Sequence, residues 1–349
     1  MKADLKIFLF PAVFIILFYS SNDADAQDVN FSQYYSSSLY LNPAFSGIES
    51  KLTLNANSRT QWKSIVTPYT TNQVSLIVPI NTKGLKERHL GGIGLSVYNF
   101  KAGEGKFQTL GANLNFGYNL QLSSLHHIAF GAQGGFVQKS IQPGNFQWGT
   151  QYNSFLGGYD QSVAVDMSNI NSSSSFADFA GGVMYYYNPA RDYEEKGVSI
   201  YGGIAAYHIT RPNESMLKDT SNKLPLLLRS HAGFELNLSE KFNISPNILI
   251  ASQNQQMQIN AGMYLTFLFG DQEARVAPAF MLLGGWYRVK DSYILSAGVG
   301  NSVYTVGFSY DLNNSSLRYN TQGRGAYEIS LKLQKPGSNK KIRIYNPLL

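Results

Sequence analysis

Hydrophobic and polar residues alternate with a period of two along most of the chain. From Leu110 to Leu122 one face reads Leu110, Ala112, Leu114, Phe116, Tyr118, Leu120 and Leu122, and the other Gly111, Asn113, Asn115, Gly117, Asn119 and Gln121. From Met257 to Phe269 one face is Met257, Ile259, Ala261, Met263, Leu265, Phe267 and Phe269, opposite a face that begins Gln258, Asn260, Gly262. Tyr327, Ile329, Leu331 and Leu333 alternate with Glu328, Ser330, Lys332 and Gln334. Successive side chains of a strand point to opposite faces, so each run predicts a strand with one oily and one polar side. Two runs are less regular. Ile77 and Pro79 interrupt the polar face opposite Val74, Leu76, Val78 and Ile80, and Pro246 sits among Phe242, Ile244, Ile248 and Ile250. A proline in a ladder predicts a bulge or a strand start. The pattern as a whole predicts about fourteen strands, centred near residues 56, 75, 95, 115, 132, 182, 203, 232, 246, 263, 281, 296, 307 and 329.

The connections alternate in length. Ser123-Ser124, Ser239-Glu240 and Gly300-Asn301 are tight turns on one side. Longer links, Lys63 to Tyr69, Gln142 to Ser174, Arg211 to Pro225 and Asn314 to Gly323, fall on the other. If both termini face the periplasm, that asymmetry fits an all-β transmembrane antiparallel barrel with an N-terminal periplasmic/luminal segment, short periplasmic turns and long extracellular loops. A soluble β-sandwich shares the alternation, but its exposed face normally carries more charge than the Asn, Gln, Ser, Thr and Gly found here.

Composition sharpens this. Charged residues are only 14%, against about 25% in ordinary soluble domains. Aromatics reach 13%, with 23 Tyr and 21 Phe beside 32 Gly. Past the leader no apolar run approaches the roughly 18 residues of a spanning helix. Without such helices, only a closed barrel satisfies its backbone in lipid. Lys2, Lys6, the apolar stretch Ile7 to Tyr19 and Ala24-Asp25-Ala26 predict a secretory signal over 1–26. There are no cysteines, which removes thiolate sites, disulfides and a lipidated N-terminus. The net charge of +6 is scattered, with no basic aromatic stripe, so nucleic acid is not an expected partner. The expected organisation is a signal (1–26), a plug or cap segment (27–49), the barrel (50–334) and a basic periplasmic tail (335–349).

Residues 27–49 hold Phe31, Tyr34, Tyr35, Tyr40 and Phe45, too many aromatics for a solvated tail. Here the sequence becomes specific. Phe31-Ser32-Gln33-Tyr34, then Leu41-Asn42-Pro43-Ala44-Phe45-Ser46-Gly47, then Arg59-Thr60-Gln61-Trp62 resemble the opening of the PorP/SprF family. These are outer-membrane proteins of the Bacteroidetes type IX secretion and gliding systems. Gly91 to Val97, Tyr310-Asp311-Leu312-Asn313 and Gly325 to Leu331 extend the resemblance over nearly the whole mature chain. It singles out Phe31, Ser32, Gln33, Tyr34, Asn42, Pro43, Ala44, Phe45 and Gly47 as family-motif residues. It implies a multi-pass outer-membrane protein that helps export, dock or retain large surface adhesins carrying a C-terminal sorting domain. The implied partners are outer-membrane lipid, the type IX translocon and periplasmic peptidoglycan-associated components.

Candidate chemistry is sparse. By alternation Arg59, Arg229, His231, Glu235, Asp311, Glu328 and Lys332 project inward as a polar lumen network, and Arg59 is expected to meet Glu328 where first and last strands close the barrel. Facing lipid at the midplane, a Lys or Arg would cost about 2–4 kcal/mol. His126 and His127 are adjacent, so they point to opposite faces and cannot share a metal. No nucleophile motif, phosphate loop, metal motif or cofactor signature is present, so neither enzymatic activity nor a cofactor is expected. Tyr185, Tyr187, Tyr207, Tyr264, Tyr287 and Trp286 are candidates for interfacial girdles, with packing inside the lumen the alternative for some of them. Loops 142–174 and 211–225 are candidate substrate contacts. Lys83, Lys86, Arg88 and Arg191 on charged turns, and Lys340, Lys341 and Arg343 on the tail, are candidate periplasmic contacts. The alternative function is a passive channel or small-solute transporter.

Overall fold

A computed structural model describes residues 28–335, apart from 65–66, 83–88, 104, 156, 161, 188–197, 219, 240, 270–278 and 317. The signal, the tail from 336 and the candidate contacts Lys83, Lys86, Arg88, Arg191, Lys340, Lys341 and Arg343 lie outside the described residues.

The alternating runs form strands at every expected position. In chain order they are β1 (Thr53–Gln61), β2 (Tyr69–Asn81), β3 (His89–Ala102), β4 (Phe107–Gln121), β5 (His126–Ser140), β6 (Tyr152–Asn153), β7 (Gly158–Tyr159), β8 (Ser173–Tyr187), β9 (Val198–Tyr207), β10 (Leu227–Ser239), β11 (Phe242–Gln253), β12 (Gln256–Phe269), β13 (Ala279–Arg288), β14 (Ser292–Gly300), β15 (Tyr304–Asn313) and β16 (Arg324–Gln334). All but β6 and β7 pair antiparallel with their neighbours in a closed fourteen-strand barrel, sealed where β1 meets β16. Closure leaves no edge strand, so the backbone needs no solvent partner. β6 and β7 pair with each other inside the long β5–β8 connection.

The pleat sorts the side chains as the period requires. On β4, Leu114 is 59% exposed on the outer wall while Asn115 beside it is fully buried within the lumen. Pro246 stays in β11, opposite Met263 of β12, but pairing to β10 lapses between Gly233↔Asn247 and Leu236↔Ile244. The proline lacks the donor that ladder needs. Two connections at the long-loop end fold over each other. Ile170 bridges Leu217, the Asn171 amide donates to the Met216 carbonyl at 2.7 Å, and Lys139 pairs with Glu214.

The lumen is not the uniformly polar space the alternation suggests. Residues 28–49 run through it, with a helical turn α1 (Ser38–Leu41) and a 3-10 turn over Pro43–Gly47. Against β9–β14 the interior is oily: Tyr34, Leu39, Leu41 and Phe45 of the segment pack with Tyr201, Leu249, Tyr264, Leu268, Phe280 and Trp286 of the wall.

Candidate functional site in the barrel lumen

The threaded segment is held at three levels. Asp28 lies at the long-loop mouth, where His208, just past β9, donates Nε2–H to its carboxylate at 2.8 Å. The other ring nitrogen of His208 faces Asp178 of β8 at 2.9 Å. Burial disfavours the imidazolium, yet the two carboxylates hold the His208 pKa up at about 9. Burial likewise disfavours the Asp28 carboxylate, and His208 and Arg229 nevertheless hold it well below the usual range. Arg229 donates to the backbone carbonyls of Val29 and Tyr40 and lies 4.6 Å and 5.0 Å from the ring centroids of Tyr40 and Tyr207.

One turn deeper, Ser32 sits in a cluster of four buried charges. Its amide donates to Glu328 Oε2 at 2.7 Å and its hydroxyl to Asp311 at 2.8 Å. Arg59 and Arg288 both reach Asp311 Oδ2, at 2.9 Å and 3.1 Å. Arg59 also faces Glu328, its register partner, but at 3.7 Å. The expected Arg59–Glu328 contact is therefore the looser arm of a set centred on Asp311. Two guanidiniums and two carboxylates balance in charge, which is what permits their burial. Gln33 extends the cluster by accepting from Ser330 Oγ at 2.7 Å.

The lower part rests on a seat that the strand register builds. Gly92, Gly117, Gly131 and Gly182 are successive register partners across β3, β4, β5 and β8. All four face the turn Asn42–Gly47. A Cβ on Gly117 would lie 2.1 Å from the Gly47 nitrogen, one on Gly131 2.2 Å from the Ala44 nitrogen, and one on Gly182 2.0 Å from Asn42 Oδ1. Only glycine allows this approach. Asn42 caps the turn by accepting from the Ala44 amide at 2.9 Å, and its amide group donates to Val183 O and Ile204 O, a register pair of β8 and β9. Phe45 stacks on His231 at 5.7 Å. At the short-turn end His89 contacts the Gly47 carbonyl at 2.8 Å, and Lys332 pairs with Glu49 at 3.0 Å.

The inward-projecting residues are thus divided. Arg59, Asp311 and Glu328 share the Ser32 cluster, joined by Arg288, which the alternation argument overlooked although it shares a face with Trp286. Arg229, His231 and Lys332 serve three other parts of the segment. Glu235 takes no part and bonds Asn243 at 3.2 Å. His126 contacts the Tyr185 hydroxyl while His127 stacks on buried Tyr186, so their partners lie on opposite faces. Among the described residues no group of three His, Asp or Glu is arranged to hold a metal.

Three girdle candidates take the alternative place, inside the lumen. Tyr207, Tyr264 and Trp286 are buried and face inward. The Trp286 indole donates to Asn247, and the Tyr207 hydroxyl to Tyr40 O. They are the apolar lining that an aromatic-rich segment demands. Tyr185, Tyr187 and Tyr287 lie on the outer face of their strands. A correction concerns direction. Asp28, the first described residue, lies at the long-loop mouth, and the segment descends from there to the start of β1; it does not rise from the periplasmic side.

Residues 23–333 match the family model for type IX secretion system membrane protein PorP/SprF. The chain belongs to this family. Among curated proteins none matches. Among solved structures, the toluene transporter TbuX of Ralstonia pickettii aligns with a TM-score of 0.51 at 10% identity, covering 86% of this chain and 94% of that one. A Pseudomonas aeruginosa FadL homologue aligns with a TM-score of 0.45 at 10% identity, covering 85% and 94%. The likeness to TbuX is one of fold, a closed outer-membrane barrel. This PorP/SprF protein is thus a multi-pass outer-membrane component of type IX secretion, its short turns facing the periplasm by the general rule for such barrels. Its Phe31–Tyr34 stretch enters the charge cluster, and its Asn42–Gly47 stretch occupies the glycine seat.

Proposed function

We propose that this protein is a non-enzymatic receptor that docks or retains a large secreted adhesin at the cell surface beside the type IX translocon. The observation that carries the reading is the occupied lumen: residues 28–49 run from one mouth to the other and are tied to the wall at each level. A wall of fourteen strands around such a segment is no conduit for a folded adhesin, so export takes place through a larger pore next to it. Loops 142–174 and 211–225, joined into one layer and presenting exposed Tyr152, Phe155 and Tyr159, suit substrate contact. Lys83, Lys86, Arg88, Arg191, Lys340, Lys341 and Arg343 are the proposed contacts to periplasmic partners, peptidoglycan-associated components among them.

A second reading, a small-solute channel gated by the segment, has one observation in its favour. Ser75, Asn113 and Asn115 on the inner wall of β2 and β4 carry buried polar atoms without hydrogen-bond partners, and orphaned groups of this kind suit a hydrated path. The experiment is a gene deletion scored for surface adhesin, paired with single-channel recording of the purified barrel. Loss of adhesin with a silent barrel supports the receptor. Normal surface adhesin with steady conductance supports the channel.

A further inference from the structure

The seam of the barrel carries a second site, on its outer wall. At the long-loop end Thr60 of β1, Tyr327 of β16 and Tyr310 of β15 are successive register partners. Their neighbours Arg59, Glu328 and Asp311 point inward, so these three face outward. The register shift opposite Asp311 and Leu312 sets a bulge at Gly325. The Gly325 carbonyl accepts from the Trp62 amide at 2.7 Å, and Ser64 Oγ donates to the Thr321 carbonyl at 3.2 Å. Trp62–Ser64, past the end of β1, are thereby tied to β16 and to the β15–β16 connection. A cavity of about 360 Å³ opens beside them, lined by Thr60, Lys63, Ser64, Tyr310, Arg324 and Tyr327.

The lining has a definite chemistry. The Lys63 ammonium stands 5.9 Å from the Tyr327 ring centroid. Neither Lys63 nor Arg324 forms an ion pair among the described residues, whereas Arg59, Lys139, His208, Arg288 and Lys332 do. Two unpaired cations and four hydroxyl-bearing side chains converge where the outer wall passes from lipid to loops. Directly towards the membrane on the same face lie exposed Phe308 and Ile329, register partners of β15 and β16. A polar cationic pocket above an oily wall suits one kind of ligand, an anionic head on acyl chains. The geometry points to a binding site for the phosphorylated headgroup of an outer-leaflet lipid, its phosphate between Lys63 and Arg324 and its chains along Phe308 and Ile329. Arginine and lysine both match phosphate, the first through its planar fork and the second as a point charge.

The test is native mass spectrometry of the full barrel released from detergent with monophosphoryl lipid A, beside a neutral diacylglycerol. One retained phosphorylated lipid is expected, with little of the neutral one. The Lys63→Gln/Arg324→Gln double variant should bind about thirtyfold more weakly, the order expected for two interfacial cations. The exchange variant Lys63→Arg/Arg324→Lys should keep binding, and heat-modifiable gel migration reports that each barrel is folded. Inorganic phosphate should not displace the lipid, because it has no chains to place on the wall. Equal retention by wild type and the double variant, equal retention of the neutral lipid, or displacement by phosphate alone each overturns the assignment.

Discussion

Asp311 accepts from two guanidiniums and from Ser32, so the cluster centres on it. Asp311→Asn leaves Arg59 with only Glu328, 3.7 Å away, and Arg288 with only the half-exposed Asp291 at 3.0 Å. Breaking a buried set this way costs about 3–5 kcal/mol. Ser32→Ala removes one hydroxyl and should cost about 1–3 kcal/mol. Urea unfolding in lipid should therefore rank Asp311→Asn as the more damaging, and the reverse ranking would mean the cluster is held by the segment rather than by its charges. His208 gives a pH dependence whose direction is fixed. Its pKa is raised from an ordinary 6.5 to about 9, so its stabilisation of Asp28 is complete below pH 6.5 and fades as pH rises through about 9. The depressed Asp28 acts in the opposite direction: its contribution is present above pH 3.8 and is lost as pH falls. The upper end of the segment should be most firmly held between those ordinary values. The chain has no cysteine, so a spin label on Asn30→Cys reports it alone. Its spectrum should sharpen between neutral and strongly alkaline pH, and Asp28→Asn should move that change to lower pH.

Among elements, the glycine seat makes the sharpest demand. Gly131 lies midway along the row, and any Cβ there enters the backbone of Ala44. Gly131→Leu should push the Asn42–Gly47 turn off the wall while the β5 ladder survives, since the strand's own bonds are backbone. Planar-bilayer recording should then show conductance that the parent barrel lacks; a silent Gly131→Leu barrel that still folds would mean the seat is not what keeps the turn in place. The fourteen strands were legible because each obeys a period of two against lipid, which tolerates few exceptions. The seat was not, although its glycines are plain in the sequence. They belong to four strands, and only the register aligns Gly92, Gly117, Gly131 and Gly182. The inner lining was only partly legible for a related reason. Tyr264 continues the face of Gln258, Asn260 and Gly262, and Trp286 that of Arg288. Parity alone turns both inward, but an isolated Tyr or Trp fits an interfacial girdle as well as a lumen, and only the threaded segment decides between them. The aromatics of residues 31–45 were the available signal that the lumen is not wet. The motif residues of the opening were legible as a group, while their partners, Arg288 above all, needed the closed barrel.

At the scale of the molecule the segment's direction matters most. β1 begins at the short-turn end, next to Glu49 and Lys332, while Asp28 lies at the other mouth beside His208. The path between them therefore spans the lumen. Lys335, whose amide donates to the Leu52 carbonyl, ends the described chain at the short-turn end. The two ends of the described chain thus lie on opposite sides of the membrane, unlike a simple barrel whose first strand begins and last strand ends at the periplasm. An epitope inserted between Gln27 and Asp28 should bind antibody on intact cells, and one inserted after Lys335 only once the outer membrane is permeabilised. If instead the first epitope stays hidden until permeabilisation, the segment enters from below and the Asp28–His208 contact does not form in the membrane. Surface access at residue 28 would also put the start of the segment within reach of the joined loops proposed to meet the adhesin. Pulling on Asp28 from outside would then load the Ser32 cluster and the glycine seat in turn. If the proposed docking holds, a secreted partner would thereby have a physical handle on the segment that threads the lumen.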